Sequence, residues 1–322
     1  MNIAYFGSPV ISQWLLEDLL KKNINIGLII TQPDKPAGKH LEMTPTAVNK
    51  FASEHNIAVF DRFLSKDNEA DLIELLREKR IELGILFAYG EILSNKLLLC
   101  MKYGIWNIHP SLLPKYRGPA PIIFPLILGE SQTGTTLMQM SEGLDQGDIL
   151  KQDTLEIKAE DSRTVIERKL IDIAANQIDD ALSLLKTNTL QSKQQESRFA
   201  TYTKLLRKND GFISQEFISK ALNNKKITFD SLPIIIQAYF KKNNIQTLDK
   251  YDAGPMLYHL YQGLHPWPGI WTTVQIDDNE KRLKILEVSI QNQTPQLKLV
   301  QLEGKKPVDS QTFEKSYNIN FL

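Results

Sequence analysis

Along the first half of the chain, short apolar runs alternate with stretches whose apolar residues recur at helical spacing. Asn2–Phe6 (NIAYF), Ile24–Thr31 (INIGLIIT), Ile57–Phe60 (IAVF) and Ile81–Tyr89 (IELGILFAY) read as strands. Their near-continuous hydrophobicity is that of strands covered on both faces. Between them lie helical patterns, one following Gly7-Ser8-Pro9 to about Lys22, then Ala47–His55, Asp67–Arg80 and Glu91–Met101. In the third of these, Leu72, Ile73, Leu75 and Leu76 carry the apolar side. The alternation predicts an α/β domain: a doubly wound, mainly parallel, Rossmann-like sheet with helices on both faces.

Beyond this point the pattern changes twice. Pro119–Leu128 reads as a helix, Thr135–Ser141 and Asp148–Leu155 as strands joined by EGLDQG (Glu142–Gly147), and Asp161–Asn188 as a long amphipathic helix. Thr189–Arg198 (TLQSKQQESR) is polar and suits a linker. The expected domains are therefore 1–188, a linker over 189–207, and 208–322. In the last part, a helix over Met256–Leu264 ends at HPWPG. Strand patterns follow at Trp271–Ile276, Arg282–Ile290 and Leu297–Leu302, suggesting a small OB-like antiparallel β-barrel. Lys220–Tyr251 fits that barrel poorly and reads as an inserted, partly helical segment.

Composition is that of an ordinary globular protein, 42% hydrophobic and 24% charged. No apolar run has the length of a membrane span, and Met1–Leu20 lacks the pattern of a signal peptide. Cys100, the single cysteine, lies in an apolar run and is expected to be a small buried hydrophobe. A cytoplasmic enzyme fits these features. The net charge of zero is unevenly spread: residues 1–188 hold 20 Lys and Arg against 25 Asp and Glu, residues 189–322 hold 18 against 13. A positive C-terminal part facing a polyanion such as RNA is one reading of this split, and chance scatter is the other.

Candidate chemistry concentrates in Trp106–Pro121, WNIHPSLLPKYRGPAP. In an extended chain Asn107 and His109 share a face, and Pro110 ends the ladder because it has no N–H to donate. Of the five histidines, His55 falls at a helix end, His259 and His265 flank an aromatic segment, and His40 lies in a loop. His109 alone combines a polar neighbour in strand register with an acidic loop, whose two glycines suit a turn that projects Asp145. The first turn has Gly7 but Pro9 where a dinucleotide fingerprint needs its second glycine, which argues against NAD. Ser111 lacks a nucleophile elbow, and no second His or Cys stands at metal-ligand spacing from His109. Oxyanion stabilisation by Asn107 and His109, with Asp145 relaying a proton, suits acyl transfer without a covalent enzyme intermediate.

WNIHPSLLPKYRGPAPI, EGLDQGDIL, TQPDKPAGK and HPWPG together resemble the methionyl-tRNA formyltransferase family. The N-x-H, SLLP and D-x-G elements are similar to those of all folate-dependent formyltransferases. The wider resemblance covers about residues 1–188, and the narrower one most of the chain. It implies Asn107, His109 and Asp145 as catalytic residues and Tyr89, Gly90, Ser111, Leu112, Leu113 and Pro114 as the folate site. It also implies 10-formyltetrahydrofolate as co-substrate without a metal, and initiator Met-tRNA as partner of a monomer. Lys35, Lys39, His40 and Arg117 are the candidates for tRNA contact. The loop Lys39-His40-Leu41-Glu42 departs from the family's Arg-, Lys- and Gly-rich pattern. That departure leaves, as the alternative, a folate-dependent formyltransferase or formyl-folate hydrolase acting on a small-molecule amine such as an amino sugar nucleotide. Lys220–Tyr251 is a second departure.

Overall fold

In the computed structural model the apolar runs of the first half become strands of one seven-stranded sheet. Residues 1–37, 42–319 and 321 are described. Two units are distinguished: Met1–Arg117, Thr133–Glu156 and Thr164–Ala200 form the first, and Gly118–Gln132, Ile157–Arg163 and Thr201–Leu322 the second.

The elements run β1 (Ile3–Phe6), α1 (Val10–Lys21), β2 (Ile26–Ile30), β3 (Lys35–Ala37), β4 (Glu42–Thr44), α2 (Ala47–Glu54), β5 (Val59–Phe60), α3 (Lys66–Glu78) and β6 (Leu83–Leu86). They continue with α4 (Asn95–Leu98), β7 (Ile105–His109), α5 (Ile123–Ile127), β8 (Gln132–Gln139), β9 (Ile149–Glu156) and α6 (Arg163–Lys186). The sheet order is β5-β2-β1-β6-β7-β8-β9, with the first five strands parallel and β8 antiparallel to β7. Strand order reverses between β1 and β6, the switch point at which such sheets open a crevice beyond their C-terminal ends.

Period-two alternation divides the core. Ile3, Tyr5, Trp106 and Ile108 pack on one side with α1, α2 and α6 residues such as Leu15, Phe51 and Ile178. Ala4, Phe6, Leu28 and Ile105 pack on the other with Leu72, Ile73 and Leu76 of α3. Cys100 is only partly buried, at the edge of this second core. In the turn after β1 only glycine fits at position 7, since a Cβ there would lie 1.8 Å from Ser12 Oγ and 2.9 Å from the Phe87 carbonyl oxygen.

Three local expectations change. The loop after β2 contains a short hairpin, Lys35–Ala37 paired with Glu42–Thr44. The helix expected over Glu91–Met101 shrinks to α4, because Ser94 leaves the helix to accept the Leu97 N–H at 3.2 Å as its N-cap. The helix expected over Pro119–Leu128 shrinks to α5, preceded by Pro119 and Pro121, which cannot donate to a helical ladder.

In the second unit, α7 (Gln215–Leu222), β10 (Lys226–Ile227), α8 (Ile234–Lys242), β11 (Tyr251–Asp252) and α9 (Ala253–Leu264) precede β12 (Ile270–Ile276), β13 (Asn279–Gln291), β14 (Thr294–Leu302), β15 (Val308–Asp309) and α10 (Ser310–Tyr317). The antiparallel strands form a four-stranded sheet, β12-β13-β14-β15. Lys220–Tyr251 contains α8 and the β10 strand that pairs with β11. Among the described residues, no helix is long and apolar enough to cross a membrane.

Trp106, 2% exposed, is the largest fully buried side chain of β7's inner face. Trp106→Ala is expected to cost about 3–5 kcal/mol, read as a lower urea midpoint at an unchanged denaturant slope.

Candidate active site

The alternation that buries Trp106 and Ile108 turns Asn107 and His109 to the opposite face of β7, where they are 6% and 4% exposed. Asn107 pairs in register with Leu86 of β6 and Met138 of β8, and His109 with Thr136. The chain then turns: the Ser111 N–H donates to the His109 carbonyl at 2.8 Å, and Thr136 Oγ1 donates to the Ser111 carbonyl at 2.7 Å. A buried ladder therefore holds both polar residues at the C-terminal end of the parallel strands.

Both nitrogens of His109 face oxygen acceptors. Nε2 lies 3.0 Å from the Tyr116 carbonyl oxygen, and Nδ1 lies 3.7 Å from Asp145 Oδ2. The first distance is a hydrogen bond; the second is longer than one. The Asn107 carboxamide makes no hydrogen bond among the described residues, so its N–H groups remain available to a ligand. Asp145 reaches the histidine from the loop between β8 and β9, with φ of 49°, in the left-handed region that Asp tolerates better than most residues. Gly147 closes that loop against β8, where a Cβ would come within 1.7 Å of the Gln139 carbonyl oxygen.

A cleft of about 500 Å³ opens beyond β1, β2 and β6, lined by Ser8, Gln32, Lys35, Thr46, Tyr89 and Gly90 among others. Its floor is a hydroxyl chain: Thr31 Oγ1 lies 2.7 Å from Thr46 Oγ1 and 3.3 Å from Ser8 Oγ, which accepts the Gln32 N–H at 3.1 Å. Gln32 Nε2 donates to the Tyr89 carbonyl at 3.0 Å, and Gln32 Oε1 accepts from Lys35 Nζ at 2.7 Å. The Tyr89 hydroxyl and Glu91 Oε1 are buried without partners among the described residues. Burial, and then the Glu91 carboxylate, push the Tyr89 phenol above its ordinary range.

Of the expected folate residues, Tyr89 and Gly90 line this cleft, whereas Ser111–Pro114 lie beyond the end of β7. Ser111 and Leu113 turn their side chains inward, Ser111 Oγ donating to the Lys115 carbonyl at 2.7 Å, while Leu112 and Pro114 are half-buried. Lys35 is exposed on β3. Lys39 and His40 lie outside the described residues. Arg117 corrects an expectation: at 1% exposure it is out of reach of tRNA phosphate. Its Nε and Nη2 donate to Gln195 Oε1 at 3.2 and 2.8 Å. Gln195, buried within the stretch read as a linker, was not singled out in the sequence, and nothing in its polar neighbourhood marks it. His55 caps α2 as expected, with Nδ1 2.8 Å from the Phe51 carbonyl oxygen. Burial pushes the His259 imidazole below its ordinary value.

In the second unit, a cavity of about 270 Å³ is lined by Lys208, Arg282, Lys284, Gln301 and Glu303. The Arg282 guanidinium lies 4.3 Å over the Trp271 ring, and Trp271 Nε1 donates to the Lys208 carbonyl at 3.1 Å. Three cations against one carboxylate make this a positive recess beside an aromatic platform.

Residues 1–182 match the family model described as formyl transferase. The chain is 32% identical over 322 residues to the methionyl-tRNA formyltransferase of Caldicellulosiruptor saccharolyticus, covering 99% of this chain and 98% of that one. It is 34% identical over 235 residues to the methionyl-tRNA formyltransferase of Thermotoga maritima, covering 72% of this chain and 74% of the relative. An N-formyltransferase from Helicobacter canadensis, solved with folinic acid and dTDP-3-aminofucose, shares the fold at a TM-score of 0.56 and 17% identity, over 90% of this chain and 88% of that one. On the family match and the two sequence relatives, this chain belongs to the formyl transferase family, and it is a formyl-transferring enzyme.

Proposed function

We propose that this enzyme transfers a formyl group from 10-formyltetrahydrofolate to the α-amino group of methionine on initiator Met-tRNA, serving translation initiation. The observation that carries the reading is the convergence of Asn107, His109 and Asp145 at the end of β7. Similarity to a methionyl-tRNA formyltransferase along nearly the whole chain supports the acceptor.

The folate supplies an electrophilic formyl carbon. Tyr89, Gly90, Leu112 and Pro114 hold it in this reading, with Ser111 and Leu113 shaping the segment from behind. When the neutral amine attacks, negative charge develops on the formyl oxygen. The free Asn107 N–H groups donate to it in a buried setting, where such a bond counts for more than in water. Nε2 of His109 is engaged by Tyr116, so Nδ1 is the nitrogen that works at the reacting group. Asp145, 3.7 Å away, orients that edge of the ring and takes up the proton the amine loses as the new C–N bond forms. As the bond from the formyl carbon to the folate nitrogen breaks, Asp145 passes that proton to the departing nitrogen, so the amine's proton ends on the folate and the carboxylate is regenerated.

For the tRNA, Lys208, Arg282 and Lys284 offer phosphate contacts, with Arg282 held over the Trp271 ring. Lys35 is a first-unit cation that lines the cleft, and residues 189–322 carry the positive balance.

The direct test is formylation of initiator Met-tRNA with 10-formyltetrahydrofolate, followed on acid gels. Formylation of an amino sugar nucleotide in place of the tRNA would replace the reading. Asn107→Ala is expected to lower kcat by about 10²–10³ with little change in KM, the loss of one oxyanion donor. Lys284→Ala together with Lys208→Ala should raise KM for Met-tRNA and flatten its salt dependence while leaving KM for the folate unchanged. An equal rise in both KM values would remove the second-unit recess from tRNA binding.

A further inference from the structure

The Asp145 loop is held by a side chain more than forty residues away. Gln195 Nε2 donates to the Asp145 carbonyl at 2.9 Å and to the Gly147 carbonyl at 2.8 Å, so both of its N–H groups are spent on this loop. Its Oε1 accepts twice from Arg117, at 3.2 and 2.8 Å, and Arg117 Nη2 also lies 3.4 Å from Ser197 Oγ. The orientation of the carboxamide follows from its partners, because carbonyls only accept and a guanidinium only donates. Gln195 is 8% exposed and Arg117 1%, in a stretch whose neighbours Gln194 and Glu196 are exposed.

The same segment serves the other side of the histidine. Tyr116, next to Arg117, supplies the carbonyl that faces His109 Nε2 and sits at φ of 64°. A closed circuit results: His109 to the Tyr116 carbonyl, along the chain to the Arg117 guanidinium, through Gln195 to the backbone of Asp145, and by the Asp145 carboxylate back to His109. Each step is a hydrogen bond or a covalent link except the last, the 3.7 Å approach to Nδ1. Asp145 carries a left-handed φ that a loop without outside support does not readily keep. We propose that Gln195 and Arg117 are positioning residues of the formyl-transfer site, which fix the Asp145 carboxylate against His109 by gripping the loop backbone. The proposal rests on the reading of Asp145 as catalytic.

Gln195→Glu separates the two ends of the grip. It keeps an acceptor for Arg117 and replaces both donors with a carboxylate oxygen facing two carbonyls. Expected is a fall in kcat of about 10²-fold, the scale of a 1 Å misplacement, with both KM values little changed. Combined with Asp145→Ala, Gln195→Glu should cost nothing further, because its effect passes through that carboxylate. Arg117→Lys keeps the charge, loses the fork, and should give a smaller loss with the same non-additivity; it carries the test if Gln195→Glu does not fold. Wild-type turnover in the folded single variant, or a loss that multiplies with that of Asp145→Ala, would overturn the proposal. Wild-type turnover in Asp145→Ala would remove the catalytic reading, and the grip with it.

Discussion

An imidazole keeps one orientation only if its ring is held, and in this enzyme His109 is hydrogen-bonded at one edge and faced by a carboxylate at the other. The Tyr116 carbonyl engages Nε2 and the Asp145 carboxylate faces Nδ1. Neither partner comes with the strand that carries the histidine, and both sit on backbone in the left-handed region. Each such residue costs on the order of 1–3 kcal/mol, which the surrounding packing has to offset. The doubly covered sheet does so: Trp106 and Ile108 anchor β7 in one core, and Ile105 anchors it in the other.

The parallel sheet was legible because strands covered on both faces leave an unmistakable record, a continuous apolar run bounded by turns. The shared face of Asn107 and His109 was legible for a related reason, since a period of two needs no knowledge of the partner strands. Asp145 was half legible: two glycines marked a projecting loop and its carboxylate suited His109 as a partner, yet nothing in the spacing said that the fold would bring the two together. The over-long helices show where composition misleads, since Leu and Ile suit the region around α4 and α5 without declaring where the Ser94 cap or Pro121 lets the ladder begin. The hairpin of β3 and β4 was missed because three residues per strand are too few to display a period.

Charge was read least well. Arg117 was grouped with the tRNA contacts on its cationic character, and burial decided otherwise, because its guanidinium fork is spent on an internal carboxamide. Arg282 and Lys284 carry the signal that was overlooked: two positions apart on β13, they share a face, and a residue from a separate segment, Lys208, joins them. Cations grouped by strand register mark the positive surface better than cations counted by region. A second internal carboxamide makes the same point within the core. Gln177, 1% exposed on α6, donates to the Thr135 carbonyl and to Asp153 Oδ2, tying the long helix to β8 and β9.

Gln195 also bears on where the catalytic unit ends. The family match stops at residue 182, and α6 finishes at Lys186. A fragment cut at either point would retain Asn107, His109 and Asp145, along with every strand of the large sheet. It would lack the residue that grips the Asp145 loop, and Arg117 would be left buried without its carboxamide. On the proposed role of Gln195, the functional border of the formyl-transfer unit falls beyond that residue, inside a stretch whose composition is that of a tether.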